Sequence, residues 1–325
     1  MTVQITIIGL GQIGTSIGLS LASHSDRVKR IGYDRTLEIQ NKAKSLGAFD
    51  AVKFNLLSAI EGADVVLLCV PHDQVEATLK LIALDLREDA VVMDFSPQKS
   101  TSYEWFAQHV PAGRHYIGLV STINPELLDK SENGIEAADA KLFQKATIGV
   151  AAPAGTSSDA LKLAADLVDL IGGQTIFLDM LEADGMEMST HLLPQVISAA
   201  LLNATVGQPG WTEARRFAGR PFAQATSALG ADSMEGLAQA LLRNPETASN
   251  ALNNVIGALT HIRSAIEKGD EADLQKRLDL AFSDRETWLN DRFRADWSGP
   301  AEHDSPKAGD MLKHIFLGGR PKNKK

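Results

Sequence analysis

The first 34 residues constrain the fold more than any other stretch. Thr2 to Ile8 (TVQITII) is an apolar run of the kind buried in a parallel sheet. It leads into Gly9-Leu10-Gly11-Gln12-Ile13-Gly14, then a helical stretch from Thr15 to Ser23. A second short run, Val28 to Tyr33, ends at Asp34, twenty residues after Gly14. A glycine triplet alone occurs by chance. Strand, glycine turn, helix, strand and acid at this spacing specify a dinucleotide-binding unit. Gly9 permits the tight turn, Gly11 lets backbone approach a pyrophosphate, and Gly14 lets the helix pack close to the sheet. The helix N-terminus, at Gln12 and Ile13, offers amide donors and partial positive charge to the phosphates. Asp34 accepts hydrogen bonds from ribose hydroxyls and repels a 2′-phosphate, which favours NAD. The adjacent Arg35 is a guanidinium able to hold a 2′-phosphate, so NADP stays open.

Strand and helix patterns keep alternating after Asp34. Apolar runs at 63–70 (ADVVLLCV), 90–94, 115–120, 146–151 and 174–178 read as strands, with helical patterns at 37–46, 75–86, 101–109 and 157–171 among them. That order predicts a doubly wound (Rossmann) α/β domain with a parallel sheet over residues 1–180. From about Leu181 strand patterns stop. Residues 182–205 read as one long helix with a break near Pro194, and further helices follow at 222–229, 234–242, 246–268 and 271–293. An all-helical substrate and dimerisation domain is therefore expected over 181–300, with a C-terminal tail over 301–325. Leu252, Val255, Ile256, Leu259, Ile262 and Ile266 form one apolar stripe at helical spacing. By analogy with other dinucleotide enzymes, a homodimer through the helical domain is expected.

Several classes of function are disfavoured. A net charge of −9 argues against a nucleic-acid surface. No apolar run reaches the ~18 residues of a membrane span, and no leader pattern precedes the first strand, so a cytoplasmic location is expected. The single cysteine, Cys69, lies in an apolar run and reads as a small buried hydrophobe. No metal-ligand spacing occurs, and no metal is expected. The basic residues Arg320 to Lys325 read as a solvated end.

Residues at the C-terminal ends of the strands point at the cofactor by position. Val70 and Pro71 follow the third long strand. His72 reads either as a neighbour of the nicotinamide or as a surface histidine, with Asp73 capping the next helix. Asp94, Ser96 and Lys99 form a loop that either orients a ribose or a carboxylate substrate, or is a capped turn with a solvated lysine. Ser121, Thr122 and Asn124 offer two hydroxyls and an amide, without a strong base. His191, beside Pro194 at the start of the helical half, is placed where the cleft should be.

These motifs together resemble the prephenate/arogenate dehydrogenase family of tyrosine biosynthesis. The resemblance covers about residues 3 to 295. It rests on GLGQIGTSIGLSL with GYDR, on LLCVPHDQ, on the Asp94–Lys99 loop, on YIG before residue 120, and on LEADGMEMSTHLLPQVISAALL. The last segment is similar to the family's D-x-x-x-A-x-x-S-H-L-P-H helix. The resemblance implies an NAD(P)-dependent oxidative decarboxylation of a small carboxylate, with His191 as the helix histidine that contacts substrate. The family's catalytic histidine, in H-P-M-x-G after the F-I-G-G strand, is replaced here by Val120-Ser121-Thr122-Ile123-Asn124. Its serine in D-x-x-S-x-K falls on Pro97, with Ser96 one position early. Its second-domain arginine falls near Ser227, and Arg215, Arg216 and Arg220 lie nearby. On this basis Ser121, Thr122 and His191 are catalytic candidates, and Ser96, Lys99, Asn124, His191, Arg216 and Arg220 are substrate-binding candidates. Two alternatives stay open: a related dehydrogenase for another small carboxylate, and a dinucleotide-binding protein without turnover.

Overall fold

The computed structural model describes residues 2–130, 133–230, 233–295 and 297. The expected tail, 301–325 with its basic residues, lies outside these.

An eight-stranded sheet runs in the order β3-β2-β1-β4-β5-β6-β7-β8. Its strands are β1 (Val3–Ile8), β2 (Val28–Tyr33), β3 (Ala51–Val52), β4 (Val65–Leu68), β5 (Val91–Asp94), β6 (His115–Ser121), β7 (Thr147–Ala151) and β8 (Gln174–Leu178). Helices α1 (Gln12–Ser20), α2 (Leu37–Ser45), α3 (Leu56–Ile60), α4 (His72–Ile82), α5 (Lys99–His109) and α6 (Ser158–Leu170) cover its two faces.

Alternation of side chains along each strand sorts the core into two layers. Ile7, Leu67, Met93 and Ile117 face the layer that holds Ile17 of α1 and Leu167 of α6. Ile8, Val66, Leu68, Val92 and Tyr116 face the layer that holds Val75 and Leu79 of α4 and Trp105 of α5. Both faces of the central strands are buried, which is why they read as unbroken apolar runs.

Two strands depart from the expected parallel sheet. β7 pairs antiparallel to β6, and β8 then runs parallel to β7. Parallel pairing needs a crossover connection, usually a helix. Among the described residues, the link from β6 to β7 contains only short 3-10 turns, Pro125–Leu127 and Gly134–Ala137, and the chain returns in the opposite direction.

Beyond the sheet come α7 (Met180–Glu187), α8 (Leu193–Val206), α9 (Trp211–Ala214), α10 (Arg220–Thr226), α11 (Met234–Arg243), α12 (Pro245–Lys268) and α13 (Glu271–Arg294). The single long helix expected over 182–205 is divided. A π turn, Met188–Leu192, separates α7 from α8. Proline lacks an amide hydrogen, and its ring clashes with the carbonyl four residues earlier. Pro194 therefore widens the turn before it rather than kinking the chain at itself. This half builds a small core of Met188, Leu192, Leu237, Ala240 and Ala248. Among the described residues, no helix is long and apolar enough to cross a membrane.

Candidate active site

The sheet order reverses direction between β1 and β4, and ligand crevices in such sheets open at the strand C-termini there. Gly9 has φ +94°, and a Cβ on it would lie 2.3 Å from the Cys69 carbonyl oxygen and 3.1 Å from Val70 Cγ1. A Cβ on Gly14 would lie 2.0 Å from the Gly9 carbonyl oxygen. These two glycines let β1, α1 and the turn after β4 meet. Gly11 is different: a Cβ there would meet nothing within 4 Å. The chain does not fill the space in front of it, as a close approach of pyrophosphate requires. This residue set fits a dinucleotide.

Asp34 closes the cradle. Its Oδ2 accepts the Leu10 amide at 2.9 Å and its Oδ1 the Thr36 amide at 2.8 Å. The acid is thus fixed against the glycine turn, with lone pairs left for ribose hydroxyls. Arg35 is exposed beside it. The Gln12 side chain donates to the Ala137 carbonyl at 3.3 Å, so only its backbone stays with the cradle. Ile13 is half-buried at the same helix start, and Val70 and Pro71 stand at the turn after β4.

Several expected ligand contacts turn inward. Asp94 is wholly buried, and its carboxylate accepts the Ser96 amide at 2.8 Å, the Ser96 hydroxyl at 2.9 Å and the Tyr116 hydroxyl at 3.1 Å. A buried carboxylate needs such donors, and the chain itself supplies these three. Ser96 is spent in the same network. Lys99 is also wholly buried, not solvated. Its stem lies over Gly118 of β6, and its Nζ meets the Ser96 carbonyl and Glu187 Oε1, the latter at 3.1 Å. The Asn124 amide is buried too: its Oδ1 accepts the Glu126 amide and its Nδ2 donates to the Lys141 carbonyl, both at 3.1 Å. The Thr122 hydroxyl accepts the Thr147 amide at 2.9 Å and donates to the Thr147 carbonyl at 3.1 Å, extending the pairing of β6 with β7. Ser121 is half-buried at the end of β6.

His72 is buried as the first residue of α4, not a surface histidine, and Asp73 does not cap that helix. The Asp73 carboxylate instead accepts the Ser233 hydroxyl at 2.9 Å, tying α4 to the start of α11. The His72 ring lies 5.0 Å from Trp105. Burial pushes its pKa down, against the pull of Asp94. Both ring nitrogens lack a partner among the described residues.

The residues that sequence reasoning missed lie on α7. Asp184 and Glu187 are both buried. Asp184 accepts the Ser100 amide at 3.3 Å and Glu187 Oε2 the Gln98 amide at 3.2 Å, so two carboxylates close the N-terminus of α5. Burial raises both acids. Glu187 is pushed up to about 7, although Lys99 and His191 pull it down. Gln98 has φ +68°, a left-handed conformation unusual for a residue with a side chain. Two acids at helical spacing, Asp184 and Glu187, among the apolar Leu181, Ala183, Met186 and Met188 were the available signal. Arg292 of α13 is also buried and donates to the Ile123 carbonyl beyond β6.

His191 lies exposed in the π turn, one turn beyond Glu187. The family pattern quoted above places its histidine eight residues after the aspartate. Counted from Asp184, that position is Leu192, which is wholly buried, and His191 comes one residue early. Arg216 and Arg220 are exposed, Arg220 at the start of α10, which packs along α8. The structure thus brings Gly9, Gly11, Gly14, Asp34 and Val70 together, and separately pairs Lys99 with Glu187, with His191 four residues further along the chain.

Comparison with known proteins gives the same assignment. The prephenate dehydrogenase nucleotide-binding domain matches residues 17–177. A cyclohexadienyl dehydrogenase of Zymomonas mobilis is 27% identical over 269 residues, covering 82% of this chain and 89% of that protein. A prephenate dehydrogenase of Lactococcus lactis is 26% identical, covering 84% and 73%. Among solved structures, the A. aeolicus prephenate dehydrogenase in complex with hydroxyphenyl propionate and NAD+ superposes with a TM-score of 0.75. It is 20% identical and covers 89% of this chain and 99% of that one. With matches that span both its halves, the chain is similar to prephenate dehydrogenases over most of its length.

Proposed function

We propose that this protein is an NAD-dependent dehydrogenase acting on a cyclohexadienyl carboxylate of the prephenate or arogenate type. The observation that carries this is the cradle of Gly9, Gly11 and Gly14 closed by the Leu10–Asp34 hydrogen bond. A helix bearing His191 docks beside the ends of β5 and β6 through Asp184 and Glu187. NAD supplies the hydride acceptor. The chain's task is to hold the ring carbon towards it and to take the ring hydroxyl proton as hydride leaves. Loss of carbon dioxide then aromatises the ring and drives the reaction forward.

No histidine stands at the end of β6, so the proton falls to His191, the exposed imidazole on the facing helix. Ser121 is the nearer hydroxyl candidate, since Thr122 is committed to β7. Arg216 and Arg220 remain candidates for the substrate carboxylate. A missing general base costs typically 10²–10⁴ in rate, so slow turnover is expected. Asp34 makes NAD the preferred cofactor, with Arg35 the one feature in favour of NADP. The division near residue 180 assigns cofactor binding to the sheet half and substrate binding and pairing to the helical half. The single Cys69 accords with a reducing cytoplasm.

The helical half supports a homodimer. Ile256, Leu259 and Ile266 of α12 are 58%, 60% and 62% exposed, and Leu278 and Phe282 of α13 are exposed as well. An apolar helix face of this extent is stable in water when covered.

The test is reduction of NAD or NADP at 340 nm with prephenate and with arogenate. Turnover with either supports the proposal. Tight NAD binding without turnover on both overturns it, in favour of another carboxylate or a non-catalytic dinucleotide-binding role. The absent β6 histidine is the observation on that side.

A further inference from the structure

The helical half rests on the sheet half where α11 meets α4 and α5. Ser233 donates its hydroxyl to Asp73 of α4 at 2.9 Å and accepts the Gly236 amide at 2.9 Å, so one side chain both ties α4 and caps α11. A Cβ on Gly236 would lie 2.9 Å from the same Asp73 oxygen, which sets α11 close against the start of α4. At the far end of α11, the Arg243 guanidinium carbon lies 5.6 Å from the centre of the Trp105 ring of α5. His72 of α4 lies against that same ring, at 5.0 Å, and is only 2% exposed.

Nothing in this junction receives an imidazolium. Both ring nitrogens of His72 lack a hydrogen-bond partner among the described residues. The charged groups that face the ring are Asp94 of β5, Lys99 of α5, Asp73 on its own helix and Arg243 of α11. Both acids are engaged elsewhere, Asp94 by Ser96 and Tyr116 and Asp73 by Ser233. The two cations oppose a further positive charge. A buried polar group without a partner costs free energy, and a buried charge without one costs more.

We propose that His72 is a pH-sensitive latch between the two halves: α11 rests on α4 and α5 while the imidazole is neutral, and lifts when the ring takes a proton that the docked junction neither hydrates nor pairs. Burial pushes the ring below its ordinary value of 6.5, so the docked state binds the proton more weakly than the open state. Docking is therefore at full strength above about pH 6.5 and weakens as pH falls below it. At pH 5.5 an imidazole in water is about tenfold more protonated than neutral, so the open state gains by about that factor. The consequence reaches the candidate site. Leu237 and Ala240 of α11 pack with Met188 and Leu192 of the π turn that carries His191, and that turn loses its cover when α11 lifts. The inference concerns the docking of the helical half and holds whatever substrate the protein takes.

The test is amide hydrogen exchange on the full chain, read by mass spectrometry at pH 7.5 and 5.5 and corrected for the intrinsic pH dependence of exchange. In the parent, protection of residues 234–243 should fall about tenfold on acidification, while α6, on the other face of the sheet, stays level. In His72→Leu and His72→Gln, neither of which titrates in this range, the fall should shrink to less than about twofold. An equal fall in the parent and both variants assigns the acid sensitivity to another group and overturns the proposal, as does a parent whose α11 protection does not change. Should both substitutions prevent folding, NMR titration of the His72 ring in the parent decides. Ring and α11 signals should then change together, with one shared midpoint. A ring that titrates near pH 6.5 while the α11 signals stay unmoved overturns the proposal.

Discussion

The sheet half and the helical half solve the burial problem differently. In the sheet half the central strands present one face to α1 and α6 and the other to α4 and α5, and Ile7, Val66, Leu67, Leu68 and Val92 are wholly buried. In the helical half the shared core is small, and long stretches of α12 and α13 keep apolar side chains in solvent. The first half buries both faces of its central strands within one chain. The second has a face that one chain does not cover. The proposed cofactor cradle lies in the sheet half, and the acids that close the N-terminus of α5, Asp184 and Glu187, come from the first turns of the other.

The largest expected effect tests the rigid half. Gly14→Val places a branched side chain where even a Cβ would lie 2.0 Å from the Gly9 carbonyl oxygen. NAD affinity should fall by roughly a thousandfold or more through displacement of α1, measured by calorimetric titration. Retained affinity would show that the glycine turn is not the cofactor cradle. The next effect tests the helical half. His191→Ala should lower kcat/KM by about 10²-fold or more and leave NAD affinity and thermal midpoint near the parent values. Unaltered kcat/KM would remove His191 from the chemistry.

The uncovered face is probed by Leu259→Glu with Ile266→Glu. Sedimentation equilibrium should show the dimer weakened about a hundredfold, because two charges would be buried at the interface. A chain that is monomeric before substitution defeats the dimer. The smallest effect returns to the cradle. Asp34→Ala should reduce the NAD-over-NADP preference by about tenfold, read from the two dissociation constants. An unchanged ratio would assign the selection elsewhere.

The pH dependence of stability separates the halves again. Glu187 has a folded pKa of about 7, raised from 4.5 mainly by burial. A raised acid binds its proton more tightly when folded, so its contribution is fully present below about pH 4.5 and is lost as pH rises through about 7. Thermal midpoints between pH 5 and 8 should therefore decline less steeply in Glu187→Gln than in the parent.

Much of the fold was legible because its signals are local. The glycine turn, the strand before it and Asp34 lie within 34 residues, and each acts through backbone geometry that sequence spacing encodes. Helix boundaries near Ser158–Leu170 and Glu271–Arg294 were legible for the same reason. The substrate side was less so. Asp94, Ser96 and Lys99 look like an open loop, because the helix that covers them arrives 89 residues later, when Glu187 reaches Gln98. Asn124 and Thr122 look like free donors, because the backbone groups they serve belong to Lys141 and Thr147.

The sequence by itself determined that the chain builds a doubly wound sheet with a dinucleotide cradle at its first turn, followed by helices. Periodicity and glycine placement act over a few residues and leave little choice. Only the tertiary structure decided which polar residues stay available for chemistry. A buried carboxylate or ammonium must find partners wherever the fold supplies them, so Asp94 and Lys99 became internal links, while His191 remained at the surface.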